Sequence, residues 1–351
     1  MLGRAKTVLS ILVLFAGVGI ATGSAAADTP LGSTADAAGL PPDAPSELKR
    51  LIGEYRSPDA QLTIYEVGGQ LFADGFGLQH AQLRRLAATR FSAQDKRPPT
   101  GLKFELGRDG QATAVVVGGS RMQFKDIGQE VVEKIRAGVK ADSGRLRAAA
   151  LAAKPPREPN PKRPFDLVDL ASVDSGIKLD IRYATSNNFI GFPLYERPGA
   201  YLQRPAAEAL GRVARALASR GYGLLIHDAY RPWFVTKMFW DATPESDHVF
   251  VADPSQGSRH NRGCAVDLTL YDLKSGRAVE MTGRYDEMSP RSYADYVGGT
   301  SQQRWLRELL RSQMEAQGFA VYAEEWWHFD YKDWSDYAIG TATFTELRAA
   351  S

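Results

Sequence analysis

A single cysteine, Cys264, stands in 351 residues, so the chain can form no internal disulfide, and its first 27 residues offer no thiol for lipid attachment. Long apolar runs are missing as well. The most apolar stretch, Val8 to Ile20, is shorter than the roughly 20 residues of a membrane-spanning helix. Charge of one sign is not in excess: 43 Lys and Arg face 41 Asp and Glu, which leaves no strong field to draw in nucleic acid or anionic lipid. No internal repeat is visible. Histidine is scarce, at five residues, so where histidines meet carboxylates the placement carries information.

With 44% hydrophobic and 24% charged residues, the chain can build one or two ordinary cores. Arg4 and Lys6, the apolar run and Ala25-Ala26-Ala27 form the three-part pattern of a cleaved export signal over residues 1–27. Export without disulfides points to a bacterial periplasm or cell envelope, with no membrane span left after cleavage. Residues 28–45 are rich in Ala, Pro, Gly, Ser and Asp and read as a flexible N-terminus.

Residues 46–144 carry two hairpin signals. Gln61 to Val67 turns at Gly68-Gly69 into Gln70 to Ala73, and Leu102 to Leu106 turns near Asp109-Gly110 into Ala112 to Val117. A small, β-rich accessory domain is expected. Through Gly53-Glu54-Tyr55 and the first hairpin it resembles, loosely, the lipocalin-like domains attached to some bacterial hydrolases. Residues 145–164, Ala-rich and then Pro-rich, predict an extended linker. From 165 to 351 helical and strand patterns mix without a βαβ series, which predicts an α+β domain with a mainly antiparallel sheet.

The chemistry sits in this last domain. Ser258 to Asp267 and Glu325-Trp326-Trp327-His328 supply two imidazoles and a carboxylate, the three protein ligands that a catalytic Zn²⁺ takes while keeping one position open. His260, Asp267 and His328 are the expected ligands, one zinc per chain, and Glu325 is left over as a base. Taken singly, each cluster also fits a structural role. In a regular strand Glu325 and His328 face opposite sides, so a shared site requires a bulge, a strand end or a reach around the metal. Arg231, in Asp228-Ala229-Tyr230-Arg231-Pro232 after the strand Leu224-Leu225-Ile226, can meet charge developing on a carbonyl oxygen; an Asp228–Arg231 pair that only shapes the strand end is the alternative. His80 reads as a surface residue, His227 as core or near the site, and His248 as loop. Cys264 has no base at hand.

Five segments now carry a resemblance: Leu179 to Gly191, Asp228 to Pro232, Ser258 to Leu270, Tyr285 to Ser289 and Glu325 to Phe329. In this order they resemble the zinc D-alanyl-D-alanine dipeptidases of the vancomycin-resistance type, within the larger peptidase group of family M15 that shares its fold with the Hedgehog signalling domain. The resemblance covers residues 163 to 346. It implies that His260, Asp267 and His328 bind zinc, that Glu325 is the base, and that Arg231 supports the transition state. It further implies that Ser258 meets the substrate carboxylate and Asp286 its ammonium, with Tyr183 in the pocket. The expected substrate is a small D,D-dipeptide. A D,D-carboxypeptidase in contact with peptidoglycan and a non-catalytic zinc-stabilised module are the competing readings.

Overall fold

Gly68 and Gly69, at φ of 57° and 82°, supply the left-handed pair that a two-residue hairpin turn needs, and the strands they join begin an eight-stranded meander. After a short helix, α1 (Ser46–Lys49), come β1 (Gly53–Ser57), β2 (Ala60–Val67), β3 (Gln70–Gly75), β4 (Leu78–Ala87), β5 (Arg90–Ala93), β6 (Thr100–Leu106), β7 (Ala112–Val117) and β8 (Ser120–Phe124). Each strand pairs with the next, and β8 returns to β1 through Tyr55↔Phe124 and Arg56↔Gln123, closing a barrel. Leu62, Ile64, Phe91, Phe104 and Met122 are among the side chains that fill its core. This computed structural model describes residues 39–94, 100–140, 142–158 and 161–349; the expected export signal and most of the flexible N-terminus lie outside the described residues.

The segment after the barrel departs from the extended linker expected at 145–164. Helix α2 (Ile127–Lys140) lies at the end of the stretch 46–144 expected to be β-rich, and α3 (Ser143–Ala152) runs into the expected linker; their Val132, Ile135, Val139 and Ala150 belong to the core of the C-terminal unit. The packing boundary therefore falls near residue 125, and the chain becomes irregular only from 153. The apolar residues of α2 recur at helical spacing, and Ala148-Ala149-Ala150 favour helix. The prolines from 155 onward mark where that helix must stop.

The C-terminal unit adds β9 (Leu167–Asp169), β10 (Ile177–Leu179), β11 (Tyr201–Gln203), α4 (Arg204–Ala218), β12 (Tyr222–Asp228), α5 (Trp233–Ala242), β13 (Ala265–Asp272), α6 (Ser301–Glu315), β14 (Phe319–Tyr322), β15 (Glu325–Tyr331) and α7 (Phe344–Ala349). Its five-stranded sheet runs β10-β12-β13-β15-β14, antiparallel except for β10 beside β12. That agrees with the mainly antiparallel α+β arrangement expected. Helices α4 and α6 touch each other and pack on the sheet. A carboxylate from the barrel caps α6: Glu66 accepts from Ser301 N at 2.8 Å, while Arg304 donates to the Glu66 carbonyl at 2.6 Å.

Candidate active site

Two irregularities in the sheet assemble the site. Between β12 and β13 the register shifts so that Asp228 stands opposite Asp267, with His227 taken out of the ladder. Between β14 and β15 Val321 pairs with Phe329 but Tyr322 pairs with Glu325, so Trp326 to His328 have no partner on β14. This bulge lets Glu325 and His328 approach the same point, the possibility that strand alternation alone left open. On its other edge β15 sets His328 directly opposite Asp267. His260 enters from a 3₁₀ turn, His260–Arg262, ended by Gly263 at φ 67°, where a Cβ would come within 2.6 Å of Leu167.

His260 Nε2, His328 Nδ1 and Asp267 Oδ1 lie 3.1 to 3.2 Å from one another. The far nitrogen of each ring fixes its tautomer. His260 Nδ1 faces the Ala229 carbonyl at 2.6 Å and His328 Nε2 faces the Asp330 carboxylate at 2.9 Å. Both acceptors require N–H, so the two inward nitrogens present lone pairs beside a carboxylate oxygen. Three buried acceptors converging on one point need a cation, and the spacing is near the roughly 3.3 Å edge of a tetrahedron with zinc bonds of about 2.0 Å. The donor set fits zinc. Against burial, Asp330 and Asp267 lift the His328 pKa well above the usual imidazole range, and His260 and His328 hold Asp267 well below the carboxylate range, so a metal ion here would take the place of the proton that His328 Nδ1 otherwise binds.

Glu325 sits with an oxygen 3.6 Å from His328 Nδ1. Burial pushes its pKa up to about 7, helped by Asp267 and opposed by His328. Arg231 is held by Asp228, which accepts from Nε at 2.8 Å, and its Nη2 lies 3.6 Å from Asp267 Oδ2. The Asp228–Arg231 pair weighed as a structural alternative is thus present, and it aims the guanidinium at the site. Tyr183 donates to both Asp286 oxygens, at 2.9 and 3.0 Å. Burial raises the Asp286 pKa well above its ordinary value, with Asp267 adding to the effect, so its anion is disfavoured unless a cation lies beside it. Ser258 Oγ accepts from the His260 amide at 3.2 Å.

All eight residues line one cavity of about 240 Å³, below the usual range for drug-sized ligands. Other contacts were not read from the sequence. Tyr285 donates to Asp267 Oδ2 at 3.0 Å, and Tyr195 to Asp228 at 2.6 Å. Asp330 could have been found, since a residue two along a strand from His328 shares its face. His227 is buried against Tyr285, its pKa lowered to about 4 by burial. His248 stacks on Trp240 in a 3₁₀ turn, and His80 is exposed. Cys264 is buried, which raises its thiol pKa and keeps it from acting as a nucleophile.

Residues 163–345 match the model of the M15 peptidase family, described as D-ala-D-ala dipeptidase. The chain is 34% identical over 174 residues to the D-alanyl-D-alanine dipeptidase of Escherichia coli, covering 50% of this chain and 89% of that protein. It is 35% identical over 182 residues to the dipeptidase of that name from Enterococcus faecium, with 47% and 90% covered. The Streptomyces coelicolor protein of the same name is 37% identical over 186 residues, with 47% and 92% covered.

Proposed function

Because the chain belongs to the M15 family of D-Ala-D-Ala dipeptidases, we propose that it hydrolyses free D-alanyl-D-alanine at a zinc ion held by His260, Asp267 and His328. The buried convergence of those three acceptor atoms, with Glu325 and Arg231 beside them, carries this reading. A zinc ion there supplies a water that ionises near neutral pH and polarises the scissile carbonyl.

The protein's own groups do the rest. Glu325 takes the proton from the attacking water and returns it to the leaving amine, a task suited to a carboxylate whose affinity for protons burial has raised. Arg231, pinned by Asp228, faces charge developing on the carbonyl oxygen, and the Tyr183 and Phe239 rings beneath it keep water away from one side of the guanidinium. Asp286 with Tyr183 receives the substrate ammonium. Ser258 receives its carboxylate. The pattern of residues 1–27 supports export and, with it, a periplasmic or envelope location for the activity.

The test is a substrate panel on the purified mature protein with and without chelator. D-Ala-D-Ala should be cleaved, chelation should stop the reaction, and zinc should restore it. Capping the substrate amine with acetyl leaves Asp286 buried without its cation and should cost about 1–3 kcal/mol in transition-state binding; Asp286→Ala should narrow the difference between capped and free substrate. Faster release of D-Ala from a stem pentapeptide than from the dipeptide would assign the chain as a D,D-carboxypeptidase instead. Full activity in chelator, with no zinc bound, ends the metallopeptidase reading.

A further inference from the structure

We propose that the α2–α3 hairpin, which lies before the family-matched segment, is a positioning element for the ammonium end of the cavity, with Arg136 and Arg147 as its working residues. The inference rests on Tyr183 and Asp286 forming that end, as read above.

Arg136 on α2 donates through Nε and Nη2 to the carbonyl of Asn188, at 3.2 and 2.6 Å. Arg147 on α3 donates from Nη2 to the carbonyls of Pro193 and Leu194, both at 2.8 Å. The two guanidinium groups thus hold both ends of the loop from Asn188 to Leu194. The loop in turn fixes Tyr183, because the amides of Leu194 and Tyr195 both donate to its carbonyl, at 2.7 and 2.9 Å. The next residue along, Tyr195, reaches Asp228, the residue that pins Arg231. Helix α3 also packs on α5, whose Phe239 ring lies 4.8 Å from that of Tyr183.

The start of α2 braces the other partner. Gly128 lies so close to Glu287 that a Cβ would stand 2.3 Å from Glu287 Cγ. Just before it, Asp126 accepts from Arg284 at 2.6 Å. Glu287 accepts from the Arg284 amide and from Ser289 Oγ, each at 2.8 Å, and so closes the turn that carries Asp286. Asp286 itself has φ of 58°, a left-handed conformation that a non-glycine residue keeps only when its surroundings hold it. One helical hairpin therefore supports both members of the Tyr183–Asp286 pair while touching no zinc ligand through these contacts.

The test uses the mature, zinc-loaded protein with its barrel in place. In the double variant Arg136→Ala/Arg147→Ala, KM for D-Ala-D-Ala should rise about ten-fold while kcat stays within about two-fold, the pattern of a lost binding contribution. Zinc content should match wild type, and the Leu194 and Tyr195 amides should exchange with deuterium faster. The single variant Arg136→Lys keeps one donor for Asn188 and should recover part of the loss relative to Arg136→Ala, and Arg121→Ala on the barrel should change nothing. Unchanged KM and unchanged exchange overturn the proposal; so does a fall in kcat that tracks loss of zinc, which would mark general unfolding. Should the wild-type protein leave D-Ala-D-Ala intact, the function proposed above fails, and amide exchange still decides whether the arginines brace the loop.

Discussion

The barrel and the C-terminal unit treat buried polar groups in opposite ways. Around the barrel core the interior is aliphatic and aromatic, and its buried carboxylates, Glu54 and Glu66, lie against the C-terminal unit. The C-terminal unit buries Asp228, Arg231, His260, Asp267 and His328 together at one end of its sheet. Burying charge is costly unless the groups pair or hold a cation, and here they pair and leave a point where a metal ion could sit. The contrast teaches where each unit's substitutions should register: as stability in the barrel, as chemistry in the C-terminal unit. Helices α2 and α3 follow the barrel in sequence but belong to the second unit by packing.

That last point gives the largest expected effect. A chain beginning at residue 126 should fold, hold zinc and turn over, because Val132, Ile135 and Val139 of α2 and Ala150 of α3 still complete the core of the C-terminal unit. A chain beginning at residue 153 uncovers that face of the core and should aggregate or melt far lower, as thermal unfolding would register. Equal behaviour of the two truncations would return the boundary to the position the prolines suggested.

Within the C-terminal unit, Glu325→Gln should keep zinc and fold while turnover drops about 10²-fold or more, the usual cost of removing a general base. His328→Ala should instead lose the metal, which metal analysis separates from a loss of turnover alone. The barrel counterpart is Phe104→Ala, which removes a ring packed edge-on against Tyr55 and Phe91 at 5.8 and 5.6 Å. It should cost about 3–5 kcal/mol of barrel stability, yet leave kcat/KM per folded molecule unchanged. A kinetic defect in folded Phe104→Ala protein would erase the distinction between the units.

Much of the C-terminal unit is legible in the sequence because its elements are local. Periodicity puts helices at Pro205 to Ser219 and Arg304 to Gln317 and strands at Gly223 to His227 and Val266 to Tyr271, and α4, α6, β12 and β13 fall within a few residues of these. The hairpins of the barrel are legible for the same reason, since Gly-Gly between alternating strands states its own turn. Closure of the barrel is not, because β1 meets β8 across some seventy residues with no local signal. The bulge that brings Glu325 to His328 was only a condition that shared chemistry imposed on the strand. Helix α3 is hidden by the prolines that follow it, and α2 by the hairpin signals before it, although its own apolar residues recur at helical spacing.

The smallest predicted effect lies at the seam between the units and tests whether the barrel is docked rather than tethered. Glu54, on β1, is 2% exposed, and burial raises its carboxyl pKa, with Tyr296 and Arg56 opposing the shift and Glu287 adding to it. A carboxyl with a raised pKa in the folded state binds its proton more tightly there than in the unfolded chain. Its contribution is fully present below the unfolded value of 4.5 and is lost as pH rises through the higher folded value. At neutral pH this buried carboxyl therefore works against the fold. Glu54→Gln keeps the shape and removes the charge, so it should stabilise the protein by about 1 kcal/mol at pH 7, the scale of an imperfectly paired buried group. The gain should vanish at pH 4, where the wild-type carboxyl carries its own proton, and a pH series of melting temperatures would display this. If Glu54→Gln is neutral at every pH, water reaches the carboxylate and the barrel stands off from Tyr296; if it destabilises at pH 7, the charge is paired and the seam is tighter than burial alone implies.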